Sequence, residues 1–177
     1  IPTKDTIGVA FRSHWMSAPA ACIGQKTTED IIATFQWAMD PDGDVNTITD
    51  RPDVINNSWK DPGIVDECQS TLYKDAFTAL EGMGIALVFS AGNEGASGIT
   101  SPKNINIDEV NTFAVGALGR DINGFFLAAF SSRGPSTCGG SGSLAIKPEV
   151  VAPGYAIRSA QLGGGYRSRS GNSTAAP

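Results

Sequence analysis

Two polar side chains carry the chemistry this sequence suggests. Ser173 stands in Gly171-Asn172-Ser173-Thr174-Ala175-Ala176-Pro177. A serine between a glycine turn and a run of small residues suits a nucleophile at a strand-to-helix turn, because the small residues let the backbone bend and let a substrate come close. The start of a helix also presents unpaired N–H groups and a positive dipole end to an oxygen that becomes negative. Asn93 stands in Ser90-Ala91-Gly92-Asn93-Glu94-Gly95, where a carboxamide on a tight turn can donate to a developing oxyanion. Taken singly, each has a plainer reading: Ser173 as part of a small-residue loop, Asn93 as a turn asparagine bonded to its own backbone.

Such residues act only if a rigid frame positions them, and the hydrophobic pattern supplies one. Thr27-Thr28-Glu29-Asp30 reads as a capped helix start, and Ile31, Ile32, Phe35, Ala38 and Met39 then share one helical face. This helix should end before the turn-rich stretch 41–46. A second helix is marked by Val65, Cys68, Leu72, Ala76, Ala79, Leu80 and Met83, with Gly82 and Gly84 to terminate it. Strands are expected at 14–18, from Val54-Ile55 into Asn56-Asn57-Ser58-Trp59, at 85–89, 112–118 and 126–131, and briefly around Val150. The run 85–89 lacks polar alternation and should be covered on both faces. Alternating strands and helices predict an α/β fold with a mostly parallel sheet flanked by helices. Ligands then sit beyond the carboxyl ends of the strands, here Asn57-Ser58-Trp59 and the segment 90–95. No repeat or linker divides residues 1–177, so one domain is expected.

Composition narrows the function classes. With 41% hydrophobic and 18% charged residues the chain is globular and long enough for a proper core. A net charge of -5 without a Lys/Arg block argues against nucleic acid. The longest apolar runs, 85–89 and 125–130, are too short to span a bilayer, so no membrane partner is expected. Neither G-x-G-x-x-G nor G-x-x-x-x-G-K-[ST] follows a strand, and no nucleotide or redox cofactor is implied. Cys22, Cys68 and Cys138 show no C-x-x-C and no nearby histidine, which argues against zinc. They fit one disulfide plus a free thiol, or three buried thiols. Asp40, Asp42, Asp44 and Asn46 form an acidic turn that only partly resembles an EF-hand loop, since Gly43 comes too early and Arg51 stands where the final glutamate belongs. A solvated loop is the favoured reading, a structural calcium site the alternative. The start at Ile1-Pro2, without Met or a signal peptide, points to a processed or truncated piece.

Five segments in order change the weight of the single motifs. They are Val54-Ile55-Asn56-Asn57-Ser58-Trp59, Ser90-Ala91-Gly92-Asn93-Glu94-Gly95, Ala129-Phe130-Ser131-Ser132-Arg133-Gly134-Pro135, Lys147-Pro148-Glu149-Val150-Val151-Ala152-Pro153-Gly154 and Ser170-Gly171-Asn172-Ser173-Thr174-Ala175-Ala176-Pro177. Together they resemble the subtilisin-like serine peptidases (subtilases). Ile7-Gly8-Val9-Ala10, Gln36-Trp37 and the stretch 53–59 look most like the bacillopeptidase F type.

The resemblance implies a secreted serine endopeptidase with Ser173 as nucleophile and Asn93 as oxyanion-hole side chain. It further implies that Ser58-Trp59 and Ala91-Gly92 are the edges of the primary specificity pocket, where substrate peptide is held as an added strand. Lys60 follows where the family usually has glycine, and is expected either as a solvated loop lysine or as a charge selecting acidic substrate residues. Asn172 and Thr174 depart from the usual threonine and methionine. The family's aspartate and histidine segments do not occur. His14, in Arg12-Ser13-His14-Trp15-Met16, lacks the Gly-Thr-His context and reads as a strand or surface residue. The chain is therefore expected to be the later two thirds of a catalytic domain, lacking N-terminal strands and C-terminal helices and inactive by itself. Its partners would be a peptide or protein substrate and the rest of its own domain or a second chain. The alternative is a non-catalytic remnant serving as a peptide-binding or assembly module. Ser101-Pro102 matches a cis bond in the family, with a trans loop proline as the default reading.

Overall fold

The computed structural model describes residues 8–19, 27–61, 63–64, 67–107 and 110–177. Ile7, Cys22 and Val65 lie outside them. Helix α1 spans Thr28–Met39 and starts as the sequence suggests. The Thr27 hydroxyl accepts from the Asp30 N–H at 3.3 Å, and the Asp30 carboxylate accepts from the Thr27 N–H at 3.0 Å. Ile31, Phe35 and Ala38 face inward. Strand β1 (Val54–Asn57) follows the acidic turn. Helix α2 covers Thr71–Gly82 and buries Tyr73, Ala76, Phe77 and Leu80. It begins later than the periodicity predicts, because Cys68 lies in a separate 3-10 turn, Glu67–Gln69. There it forms a disulfide with Cys138 across a sequence separation of 70. The chain leaves α2 through Gly84, whose φ of +79° is the left-handed turn a glycine supplies. Strand β2 is Ala86–Ser90.

A short antiparallel ribbon of β3 (Asn106–Ile107) and β4 (Val110–Asn111) leads into β5 (Phe113–Asp121), the longest strand. β5 turns back through Asn123-Gly124 into β6 (Gly124–Leu127), antiparallel to it. A strand at 126–131 was expected. Instead the chain reverses early, with the Asp121 carboxylate accepting from the Asn123 N–H at 2.7 Å and Gly124 at φ +118°. Residues 128–131 form a turn closed by the Ser131 N–H on the Ala128 carbonyl. β7 (Val150–Pro153) returns parallel to β5. A two-stranded ribbon of β8 (Ile157–Ala160) and β9 (Tyr166–Arg169) closes the described elements, and neither strand was anticipated. Residues 14–18, expected as a strand, are irregular and pair with no strand among the described residues, leaving Trp15 86% exposed.

The main sheet runs β1-β2-β5-β6 with β7 also on β5, and the β1–β2, β2–β5 and β5–β7 pairs are parallel. Registers such as Asn57↔Phe89 and Phe89↔Ala114 put Asn57, Leu87, Phe89 and Ala114 on alternate positions of one face. Both helices pack there, around Ile31, Phe35, Tyr73, Phe77, Leu80, Leu87 and Phe89. The opposite face holds a smaller cluster of Val115, Ala117, Ala128 and Ala175. Beyond that cluster Val54 is 52% and Phe113 40% exposed, so the expected cover on both faces of 85–89 holds on the helical side only.

Candidate active site

The parallel pairing of β1 and β2 brings their carboxyl ends side by side, so Ser58-Trp59-Lys60 and Ala91-Gly92-Asn93 emerge as neighbouring loops. Trp59 turns its indole inward against Phe35, Tyr73 and Phe89, the last at 5.6 Å between ring centroids. Its carbonyl accepts from the Lys103 ammonium at 3.1 Å. Lys103 is buried, and burial holds its pKa down at about 8. The next residue but one, Asp61, is buried and fastened by three donors at 2.8 Å: the Tyr73 phenol, the Thr28 hydroxyl and the Gly63 N–H. Burial and the Asp61 carboxylate push the Tyr73 phenol well above its ordinary range. The loop is thus fixed from below on both sides of Lys60. The bond before Pro102 is cis, against the trans default.

Lys60 is half-exposed yet not free. Its ammonium pairs with Glu94 at 2.8 Å, tying one strand-end loop to the other. The Ser132 hydroxyl donates to the second Glu94 oxygen at 3.0 Å and accepts from the Glu94 N–H at 3.0 Å. Burial alone would raise the Glu94 carboxyl; the bonds from Lys60 and Ser132 outweigh it and hold it below the usual range. Gly92 sits at φ +104°, and a Cβ there would come within 2.4 Å of Glu94 Oε2 and 2.9 Å of Ser132 Oγ. Only glycine fits this close turn. Ala91 is buried, its N–H on the Val115 carbonyl.

The Ser173 turn meets this frame at Asn172. Asn172 is fully buried, and its N–H donates to Asn93 Oδ1 at 3.0 Å. Its amide nitrogen reaches the Gly92 carbonyl, and its Oδ1 accepts from the Ser131 hydroxyl at 3.1 Å. Ser131 Oγ in turn accepts from the Ala117 N–H of β5 at 3.0 Å. Gly171 is bonded to the Gly154 carbonyl at 2.9 Å, and the Thr174 hydroxyl donates to the Gly171 carbonyl at 2.8 Å. A 3-10 turn, Asn172–Thr174, carries Ser173 exposed at its centre. Asn93 is also exposed. The point a Cβ on Gly171 would occupy lies 3.8 Å from Asn93 Oδ1, 3.9 Å from Asn93 Nδ2 and 3.8 Å from the Ser173 backbone nitrogen. Holding Oδ1 on the Asn172 N–H fixes the amide so that its NH2 points elsewhere.

The structure therefore brings together Ser173, Asn93, Ala91, Gly92, Ser58, Trp59 and Lys60 through two strand ends and one turn. His14 lies exposed in the irregular segment, outside this network. Sequence reading missed Asn172, Ser131, Ser132, Glu94, Lys103 and Asp61 as the residues that hold the site. Their signal is a buried polar side chain next to a glycine turn, which spacing alone does not reveal.

The acidic turn differs from its expected ligand set. Asp40, Asp42 and Asp50 each offer an oxygen within 4.8 Å of the others. Asp44 instead binds the Asn46 N–H and amide. Asp40 Oδ1 and Asp50 Oδ1 are buried atoms without a hydrogen-bond partner. An all-oxygen donor set of this kind suits a hard cation.

The mostly parallel sheet flanked by two helices is that of a partial subtilisin-like α/β domain. Residues 2–177 match the subtilase family (peptidase S8), and the chain belongs to that family. It is 36% identical over 182 residues to bacillopeptidase F of Bacillus subtilis strain 168, covering 98% of this chain and 12% of that protein. It is 31% identical over 160 residues to subtilisin E of the same organism, covering 90% and 37% respectively. Among solved structures, the S41 psychrophilic protease superposes with a TM-score of 0.64 at 30% identity, over 88% of this chain and 48% of that one. Sphericase gives 0.63 at 29%, over 87% and 47%. The chain thus spans less than half the length of these relatives.

Proposed function

We propose that this chain is the nucleophile-bearing part of a serine endopeptidase domain. The Ser173 hydroxyl attacks the scissile carbonyl, and the oxyanion is held by the Ser173 N–H and the Asn93 amide. The serine proton passes by way of the base to the leaving nitrogen, the peptide C–N bond breaks and the amine departs, leaving an acyl ester on Ser173 that water hydrolyses to the acid and free serine. Serine needs a base, and the only histidine here, His14, is not it. The histidine and aspartate come from segments outside these 177 residues, which also cover the open sheet face around Val54 and Phe113. Ser58, Trp59, Ala91 and Gly92 line the peptide groove, with Lys60 on its rim.

The observation that carries this reading is the bond from the Asn172 N–H to Asn93 Oδ1, which sets the carboxamide beside the serine turn. A turnover assay with a chromogenic peptide, with and without a serine-directed phosphonate, tests it. The complete gene product should cleave the peptide and lose activity with the phosphonate, while the isolated chain stays inert. Stoichiometric phosphonate labelling of Ser173 in the isolated chain would contradict the second expectation.

Two finer points belong to the same reading. Asp40, Asp42 and Asp50 would hold a calcium ion as a structural brace. Chelation should then lower Tm and added calcium restore it, by mass action on the folded state. The Cys68–Cys138 disulfide supports folding in an oxidising compartment, hence secretion.

A further inference from the structure

Charge is distributed unevenly along this chain. Residues 150–177 contain Arg158, Arg167 and Arg169 and no aspartate or glutamate, although the whole chain has a net charge of -5. All three arginines lie on the β8–β9 ribbon that leads directly into the Ser173 turn. Their roles differ. Arg158 lies over the Tyr166 ring at 3.9 Å. Arg167 and Arg169 alternate with it, on the other face of the ribbon, across from Ser159 and Ile157. Both are exposed, and among the described residues neither makes an ion pair. The two like charges stand two positions apart on one face of β9 and repel each other.

The ribbon is also held in place relative to the nucleophile. The Ala156 N–H donates to the Ser170 hydroxyl at 2.9 Å, and the Gly171 N–H to the Gly154 carbonyl at 2.9 Å, so both strands are stitched to the base of the serine turn. Arg169 precedes Ser173 by four residues, a chain distance of at most about 14 Å, which an extended peptide covers in about four residues. The lysines of the strand-end loops are already committed: Lys60 pairs with Glu94, and buried Lys103 donates to the Trp59 carbonyl. Exposed Arg133, next to Ser132, is a second source of charge on that side, whereas the ribbon contributes two arginines on one face of the strand that runs into the Ser173 turn.

We propose that Arg167 and Arg169 are specificity-determining residues that draw acidic side chains of an extended peptide substrate onto the ribbon beside Ser173. The inference rests on the peptidase reading above and names its substrate class: peptides with aspartate or glutamate within about four residues of the cleaved bond, on the flank the ribbon borders. The selection of acidic residues, one of the two readings of Lys60, is assigned here to these arginines. Exposed pairs of this kind are screened at high salt, so the preference should fade as ionic strength rises.

Peptide pairs differing only in Glu or Gln at each position around the scissile bond test this, with kcat/KM measured on the complete gene product. At low salt one flank should favour Glu by about fivefold, and the preference should shrink towards parity in 1 M salt, where the Debye length is about 3 Å. The Arg167→Gln/Arg169→Gln double substitution should abolish the preference, and Arg167→Glu/Arg169→Glu should turn it towards Lys. An unchanged Glu-to-Gln ratio in both double variants would overturn the proposal, as would its loss on Lys60→Gln instead. Failure of the underlying reading looks different: no peptide is cleaved and no phosphonate is taken up at Ser173.

Discussion

The most informative single residue is Asn172. It donates through its backbone to Asn93, through its amide to Gly92, and accepts from Ser131, all while fully buried. Asn172→Ala would leave the buried Ser131 hydroxyl without its acceptor and the Gly92 carbonyl with the Ser132 N–H as its remaining donor, so unfolding free energy should fall by about 1–3 kcal/mol in denaturant titration. The substitution keeps the backbone N–H on Asn93 Oδ1 and removes only the 3.3 Å contact from the Asn172 amide, so kcat should fall less than in an Asn93 variant. Asn93→Ala orphans the buried Asn172 N–H, so it should also lower unfolding free energy by about 1–3 kcal/mol, and it should in addition lower kcat about 10²–10³-fold in the complete gene product, a scale known from a subtilisin itself and not obtained from this geometry. Lys103 makes a separate prediction with a definite sign. Its pKa is about 8 in the fold against 10.5 for the free side chain, so the unfolded chain holds more protons between those values. The cost of burying the ammonium is full below pH 8 and gone above 10.5, and stability rises with pH across that window. Subtracting the Lys103→Met curve from the wild-type curve should isolate this rise.

At the scale of elements, the helices and parallel strands were legible because their signals are repetitive. The α1 face, its Thr27–Asp30 capping box and the strand at 86–90 follow from spacing and capping chemistry. What was not legible depends on turns and on distant partners. The hairpin at 122–124 lets β5 run on to Asp121, past the expected end at 118, and starts β6 at Gly124, before the expected 126. The β8–β9 ribbon is too polar and glycine-rich to show a strand pattern, and β3–β4 is only two residues per strand. The disulfide could not be chosen from three scattered cysteines, since the 3-10 turn before α2 and the loop after Ser132 meet only in three dimensions. Closing a loop of 70 residues should contribute about 4 kcal/mol, so Cys68→Ser with Cys138→Ser, or reductant, should shift the denaturation midpoint down accordingly. The buried Lys147 is a second fastening: its ammonium donates to the Thr112 carbonyl at 2.6 Å and pairs with Glu149, which accepts from the Ala114 N–H at 2.8 Å. Burial lowers the Lys147 pKa against the opposing pull of Glu149. Together these clamp the start of β5, against which the active-site loops are registered.

For the whole molecule, site and fold share one frame. The sheet's helical face is a packed aromatic core, while its other face is covered chiefly near the serine turn and leaves Val54 and Phe113 exposed. The Ser173 turn thus sits on a half-covered sheet, which fits the proposed catalytic unit completed by further segments of its protein. The most direct measurement is a structure of the complete gene product inactivated by a peptidyl phosphonate. The expected result is phosphorus bonded to Ser173 Oγ, with the phosphoryl oxygen about 2.7–3.1 Å from Asn93 Nδ2 and from the Ser173 N–H. An adduct on any other side chain, or a phosphoryl oxygen turned away from Asn93, would contradict the placement of the nucleophile and its oxyanion hole.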